Sequence, residues 1–251
     1  MKALLSSTYF GPIQWYQKLN RYDECLIERH ESFIKQTYRN RMIIPTTNGP
    51  LSLTIPTNHD ISLSMKDIRI SDHANWRHVH WNALLSAYGE SPFFEYYQDD
   101  IRPFYEKKYE FLFDFNMETT EKMIELLDIR PKISITEEYI LSEERRTKSE
   151  ETTFGGQGES QFDSIANHKV QSSNLKVQSK EVQSSNLKVQ SKEVQSIVDF
   201  RDAIRPKKPL PDAEFAPKRY YQVYGQKHGF LPNMSILDLL FNEGNEAIFY
   251  L

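Results

Sequence analysis

The sequence predicts an α/β fold: a single mixed domain with a β-α-β opening, a β-hairpin and a helical middle section, interrupted by a disordered insertion. Strand-like and helix-like segments alternate at the start, an Asn-Gly turn separates two later apolar segments, and helical spacing dominates the middle. Hydrophobic residues make up 39% of the 251 residues and charged residues 26%, which is the balance of a soluble globular domain.

The opening contains the first three elements. The pattern predicts a strand over Ala3–Phe10, a short helix over Ile13–Asn20 and a second strand over Glu24–Glu28. A strand, a helix and a strand in succession favour an α/β sheet.

A hairpin is predicted next, with strands over Arg41–Pro45 and Leu51–Ile55. Asn48 and Gly49 supply the residues that a tight turn between two strands prefers. A further short strand is expected over Lys66–Ser71.

The middle of the chain reads as helices. Apolar residues recur at helical spacing from Trp76 to Tyr88, so we expect an amphipathic helix that Gly89 ends. Ser91 is expected to cap the next helix, which Pro103 should kink or break. A third helix is predicted over Asn116–Leu127 and a last one over Ile236–Asn242, opened by Asn233 or Ser235.

The insertion is marked by a repeat. Residues 170–193 are two copies of VQSSNLKVQSKE, and neither a helical nor a strand period gives these copies a continuous apolar face. We therefore predict a disordered insertion over 142–200, between domain segments 1–141 and 201–251. The second segment is too short for a core of its own, so it should pack onto the first. A partner-binding arm is the alternative role of the insertion.

Composition narrows the classes of function. No apolar run is long enough to span a membrane, and the start reads as a strand rather than a signal peptide, which predicts a cytoplasmic protein. The single cysteine, Cys25, excludes an internal disulfide and a multi-cysteine zinc site. A net charge of -4 argues against general nucleic-acid binding. Phosphate-binding and dinucleotide-binding glycine loops and a GxSxG nucleophile motif are absent, and we expect no cofactor.

The densest polar cluster lies on the first middle helix. His78 and Asn82 are four residues apart, so their side chains meet on one helix face, while His80 lies on the apolar stripe. The first interpretation is a pocket wall in which His78 acts as a general base. The alternative is a structural hydrogen-bonded pair. A metal site formed by His73, His78 and His80 with Asp72 is disfavoured because the helix register separates the side chains, and no metal is expected.

A second cluster precedes the hairpin. If KQTYRNR continues the strand, Arg39 and Arg41 share one face, where their forked donors could hold a phosphate or carboxylate. Lys35 and Tyr38 could join them in substrate binding. The alternative is an edge strand that carries solvated charges.

Several longer segments resemble one family. YRNRMIIPTTNGPLSLTIP, KDIRISDHANWRHVHWNALLSAYGESPFFEYYQDD, RPFYEKKYEFLFDFN and LPNMSILDLLFNEG are similar to the WbqC-like protein family, over about 1–139 and 210–251. The opening TYFGPIQW departs from the family pattern, because Gly11 stands where a proline is usual. The family takes its name from an O-antigen gene cluster, so the resemblance implies transfer of an aminoacyl or acyl group onto an amino sugar. It supplies no catalytic residues.

Three hypotheses follow. The leading one is a small-group transferase whose small-molecule substrate is a nucleotide-linked or lipid-linked amino sugar. His78 would deprotonate the acceptor amine, Asn82 would orient it, and Arg39 with Arg41 would bind phosphate. The rival is a non-catalytic binding or scaffold protein of cell-envelope biosynthesis. Nucleotidyl transfer, suggested only by the β-α-β opening, is the third.

Overall fold

The first residues form a strand, a helix and a strand. The structure is a computed structural model that describes residues 1–58, 63–141 and 196–251. β1 (Lys2–Ser6) leads through α1 (Ile13–Arg21) to β2 (Glu24–Glu28), and the two strands pair in parallel. The predicted β-α-β opening and the α/β class are confirmed.

A hairpin and helices occupy the middle. β3 (Arg41–Thr46) and β4 (Gly49–Thr54) pair antiparallel, and Gly49 adopts the positive φ of 98° that the predicted turn requires. Two-residue strands β5 (Thr57–Asn58) and β6 (Arg69–Ile70) follow. The helices are then α2 (Trp76–Tyr88), α3 (Phe94–Ile101), α4 (Pro103–Glu106) and α5 (Leu112–Leu126).

The remaining elements complete the sheet and end in a helical segment. β7 (Ile133–Ile135) pairs with β2, and β8 (Ile197–Asp199) pairs with β1, which gives a parallel four-stranded sheet of order β7-β2-β1-β8. The chain continues through α6 (Gly225–His228) to α7 (Ile236–Glu243) and a 3-10 helix over Gly244–Tyr250. Ser235 caps α7 by accepting from Leu237 N, one of the two caps predicted.

Several boundaries differ from the prediction. The first strand stops at Ser6 because the chain turns in the loop that follows, where Phe10 adopts a φ of 39°. Within Lys66–Ser71 only β6 is a strand. α3 begins two residues after Pro92, and Ser91 does not cap it. The side-chain oxygen of Ser91 is buried and has no hydrogen-bond partner in the described ranges. α5 begins at Leu112, four residues before Asn116, and its first residues include the buried Leu112, Phe113 and Phe115.

The predicted insertion 142–200 extends five residues too far. Residues 142–195 lie outside the described part of the chain, but 196–200 are folded. Ile197 and Val198 belong to β8, and Phe200 is buried in the core beyond it. These apolar residues follow the repeat directly, and they complete the sheet by pairing with the second edge of β1.

Candidate functional site

His78 and Asn82 form the pair that helical spacing predicts. Both lie on α2, and Asn82 Nδ2 is 2.8 Å from His78 Nε2 on the exposed side of the helix. An amide nitrogen can only donate, so His78 Nε2 accepts this bond and the neutral ring carries its proton on Nδ1. His78 therefore offers a ligand a donor, and Nε2 becomes a free base only when Asn82 releases it.

His80 belongs to the interior. It is 4% exposed, and its Nδ1 lies 3.0 Å from the hydroxyl of Tyr9, which contacts the hydroxyl of Tyr105 at 2.9 Å. Burial lowers the pKa of His80 to about 4, although a hydrogen bond to the Thr54 backbone opposes the shift. A ring that stays neutral in a packed aromatic cluster is a structural histidine, as the apolar stripe predicts.

An open cleft lies between α2 and α4 and includes His78. Its volume is about 340 Å³. The lining residues come from the two helices and the segments next to them: Asn75, Arg77, His78, Trp81, Arg102, Tyr105, Glu106 and Lys108. The rings of Trp81 and Tyr105 lie 5.8 Å apart and give the cleft an aromatic wall.

The cleft carries more positive than negative charge. Lys108 Nζ lies 2.9 Å from Asp72 Oδ2, Arg77 Nη1 also pairs with Asp72, and Arg102 Nε lies 2.6 Å from Glu106 Oε1. Arg77 and Lys108 hold the pKa of Asp72 below its usual value, so this carboxylate stays ionised near neutral pH. Three permanent cations thus face two carboxylates in a chain whose net charge is -4.

Arg77 has spare hydrogen-bonding capacity. Its side chain is 12% exposed and lies over the Trp76 ring at 4.7 Å. Nη1 binds Asp72, whereas Nε and Nη2 are buried without a hydrogen-bond partner among the described residues. Arg77 and Lys108 share the single carboxylate of Asp72, so the cleft keeps an unmatched positive charge that favours an anionic ligand.

The predicted arginine pair before the hairpin does not form. Residues 35–40 are turns, and β3 begins only at Arg41, so Arg39 and Arg41 do not share a strand face. Arg39 is 2% exposed, and its fork binds the carboxylate of Glu31, with Nε 2.8 Å from Oε1. Arg41 Nε donates to Thr54 Oγ1 at 2.9 Å. The predicted phosphate clamp of Arg39 and Arg41 does not form, because the Glu31 carboxylate already binds the Arg39 guanidinium group.

The other two predicted binding residues are also apart from the cleft. Lys35 is exposed on a turn, and Tyr38 is buried beside Arg39. Neither lines the cleft with His78, so the structure divides the predicted site residues between two places.

Most residues of the cleft were not predicted from the sequence. Arg77 and Trp81 could have been, since they lie close to His78 on the same predicted helix. Arg102, Tyr105 and Lys108 come from a later segment, and only tertiary packing of α4 against α2 brings them to His78.

The comparisons with known proteins identify the family. The sequence profile of the WbqC-like protein family matches residues 7–155, more than half of the chain, so the chain belongs to this family. The chain is also 26% identical over 254 residues to "Uncharacterized protein Rv1507c" of Mycobacterium tuberculosis (strain ATCC 25618 / H37Rv), an alignment that spans 99% of this chain and 96% of that protein. No solved structure matches significantly.

The described residues contain neither a membrane-spanning helix nor a cluster of metal ligands. In the ranges 1–58, 63–141 and 196–251, every helix is too short or too polar to cross a bilayer. Within the same ranges, no three His, Cys, Asp or Glu side chains are grouped so that they could hold a metal ion.

Proposed function

We propose that the protein is a small-group transferase that binds an amino sugar, carried on a nucleotide or lipid diphosphate, in the cleft between α2 and α4. One observation carries the proposal: Arg77, Arg102 and Lys108 meet an aromatic wall and a histidine in one open cleft. Family membership supports the substrate class, because the family name derives from an O-antigen gene cluster. The rival, a non-catalytic binding protein, would use the same cleft.

Phosphate is the ligand group that the cations favour. The side chains of Arg102 and Lys108 are 57% and 78% exposed, and their carboxylate partners are more than half exposed as well. Exposed ion pairs of this kind contribute little to stability, so a diphosphate can replace the carboxylates at little cost. Arg77 adds a third positive charge in the wall of the cleft.

The aromatic wall suits the sugar. Trp81 is half-buried and Tyr105 is buried, so their rings are held in place before a ligand arrives. Preorganised rings provide apolar contact area with little loss of side-chain entropy on binding. A sugar placed on this wall would bring its polar groups near His78 and Asn82, which lie on the same helix as Trp81.

The proposed reaction is acyl transfer to an amine. The amine nitrogen attacks the carbonyl carbon of an activated acyl donor, a C–N bond forms, the bond to the leaving group breaks, and the amine loses a proton. His78 Nε2 would take this proton after Asn82 releases it, and would pass it to the leaving group. Asn82 is then a positioning residue, because it fixes the ring and its tautomer in the resting state.

The rival function also has an observation in its favour. His78 Nε2 is engaged by Asn82, and among the residues that the structure describes no serine or cysteine lines the cleft. A site that only recognises phosphate and sugar needs neither a free base nor a nucleophile. In that case His78 serves as a hydrogen-bond donor to the ligand.

Calorimetry and a transfer assay distinguish the two functions. The paired variant Arg102→Gln/Lys108→Gln should weaken the binding of a nucleotide-linked amino sugar by about tenfold or more. Arg130→Gln/Lys66→Gln is the matched control, since both residues are exposed and outside the cleft. Undiminished binding by the cleft variant would contradict the proposed site.

His78→Gln then tests the chemistry. A lost general base lowers turnover by about 10²–10⁴-fold while the affinity for the amino sugar changes little. If the wild-type protein transfers none of a panel of activated acyl or aminoacyl donors although the sugar binds, the binding function replaces the transferase.

A further inference from the structure

A narrow recess lies at the carboxyl ends of β1 and β8. The chain passes from β1 through α1 to β2 on one side, whereas β8 pairs with the other edge of β1. At such a reversal of strand order, open α/β sheets bind their ligands. The recess holds about 10 Å³, which is room for one water-sized atom. Its lining differs completely from that of the cleft.

Two buried donors that line this recess make no hydrogen bond within the described part of the chain. The side chain of Arg201 is fully buried, and its Nη1 has only the ion pair with Glu28 Oε2 at 3.6 Å, which is too long for a hydrogen bond. Thr8 is 2% exposed, and its Oγ1 also has no partner among the described residues. Buried donors that stay unpartnered cost stability, so an acceptor atom between them would satisfy both groups.

A third donor is available from Ser6. Arg39 Nη2 donates to Ser6 Oγ at 2.8 Å, which leaves the Ser6 hydroxyl hydrogen free for another acceptor. Ser6, Thr8 and Arg201 all line the recess. The recess therefore presents donors to whatever enters it.

The surrounding charges determine what kind of acceptor fits. Arg39 binds Glu31, and Arg201 binds Asp199 and lies near Glu28, so three buried carboxylates face two guanidinium groups. An additional anion would increase an existing negative excess in a region of low polarity. An uncharged acceptor adds no such repulsion.

We propose that the recess is a second binding site, which takes the carbonyl oxygen of an uncharged amide, such as the N-acyl or carboxamide group of a small ligand. The carbonyl oxygen fills the one-atom space and accepts from Thr8 and Arg201. The rest of the ligand lies outside the recess. This site is separate from the cleft, and it does not depend on the function proposed there.

Gly11 lies against the side chain of Thr8, one of the residues that line the recess. A Cβ atom at position 11 would overlap Thr8 Oγ1 and lie 2.9 Å from Thr8 Cβ. A larger residue would therefore displace the hydroxyl from its place beside the recess.

The three tryptophans allow a direct test by NMR. Trp15 lines the recess and donates through Nε1 to the Ser6 carbonyl at 2.9 Å, whereas Trp81 lines the cleft. In the full-length protein, acetamide should shift the Trp15 indole resonance and leave Trp81 unchanged. Acetate, nearly the same size but charged, should shift Trp15 at least about tenfold less at equal concentration.

Thr8→Val is the decisive variant because it removes only the hydroxyl. It should be at least as stable as the wild type without ligand, and it should weaken the acetamide response of Trp15 by about tenfold. The matched control is Thr119→Val, which loses the buried hydroxyl that donates to Asn116 O at 2.9 Å but leaves the recess intact. The control should lose stability and keep the acetamide response.

Three outcomes would overturn the proposal. Acetate could shift Trp15 as strongly as acetamide, Thr8→Val could respond like the wild type, or acetamide could leave Trp15 unchanged because the recess holds only a water molecule. None of them affects the proposed function of the cleft, whose ligands report through Trp81.

Discussion

His80 and Asp238 should give the stability of the protein two opposite dependences on pH. Burial lowers the pKa of His80 from 6.5 to about 4, so the folded state binds the proton less well than the unfolded chain. The stability that follows is present above pH 6.5 and is lost as the pH falls towards 4. Replacement by glutamine removes this dependence.

Asp238 has the opposite sign. Its carboxyl is fully buried in α7, and desolvation raises its pKa from 3.8 to about 6 although Tyr220, Gln222 and Asn242 hydrogen-bond to it. The folded state therefore holds this proton more tightly than the unfolded chain. The associated stability is present below pH 3.8 and is lost as the pH rises through 6.

The magnitude follows from linkage. Each differential proton changes the free energy of unfolding by about 1.4 kcal/mol per pH unit, so each shift amounts to about 3 kcal/mol across its window. In the wild type the two effects largely cancel between pH 4 and 6.5. His80→Gln is destabilised at pH 7 by the lost contact with Tyr9, but its deficit relative to the wild type should shrink by about 3 kcal/mol at pH 4.

Urea unfolding at pH 4, 5.5 and 7 measures these differences. Asp238→Asn is the control of opposite sign, since its deficit relative to the wild type should be largest at low pH and shrink as the pH rises. Both variants are compared with the wild type at each pH. The contribution of all other carboxylates to the free energy of unfolding is therefore the same in the two proteins compared and cancels. A His80→Gln deficit that is the same at pH 4 and pH 7 would refute a buried, neutral His80.

Three further predictions concern separate parts of the chain. His78→Ala should keep the melting temperature of the wild type within about 2 °C, as exposed substitutions do, whereas His80→Ala should lower it by several degrees; the reverse order would mean that the roles of the two histidines are exchanged. Replacing residues 143–195 by a short Gly-Ser linker should preserve cooperative unfolding, but a deletion that extends through Phe200 should abolish it, because β8 pairs with β1; equal stability of the two deletions would contradict the role of β8. Gly11→Ala should lower the free energy of unfolding by about 1–3 kcal/mol through its clash with Thr8, and chemical denaturation that shows no loss would remove the steric argument.

Local sequence patterns predicted the elements that depend only on the geometry of neighbouring residues. The turn at Gly49, the length of α2 and the meeting of His78 with Asn82 follow from chain geometry alone, and the structure has all three. The burial of His80 follows from the same helical period.

Contacts distant in sequence account for what was missed. Ile197 and Val198 form a strand because they pair with a free edge of β1, which lies at the other end of the described chain, at Lys2 to Leu4. Arg39 has the sequence context of a ligand-binding residue, but Glu31 folds back onto it and takes its fork. Arg102 and Lys108 have no pattern that separates them from solvated charges, and only the packing of α4 on α2 makes them part of a cleft.

The indole resonance of Trp81 tests the central claim most directly. UDP-glucosamine, a nucleotide-linked amino sugar, should shift the Trp81 resonance in a saturable manner and leave Trp15 in place, because only Trp81 lines the cationic cleft. The response should weaken by about tenfold or more in Arg102→Gln/Lys108→Gln and persist in Arg130→Gln/Lys66→Gln. A Trp81 resonance that stays fixed at millimolar UDP-glucosamine, or that shifts equally in both paired variants, would contradict a phosphate-binding amino-sugar site between α2 and α4.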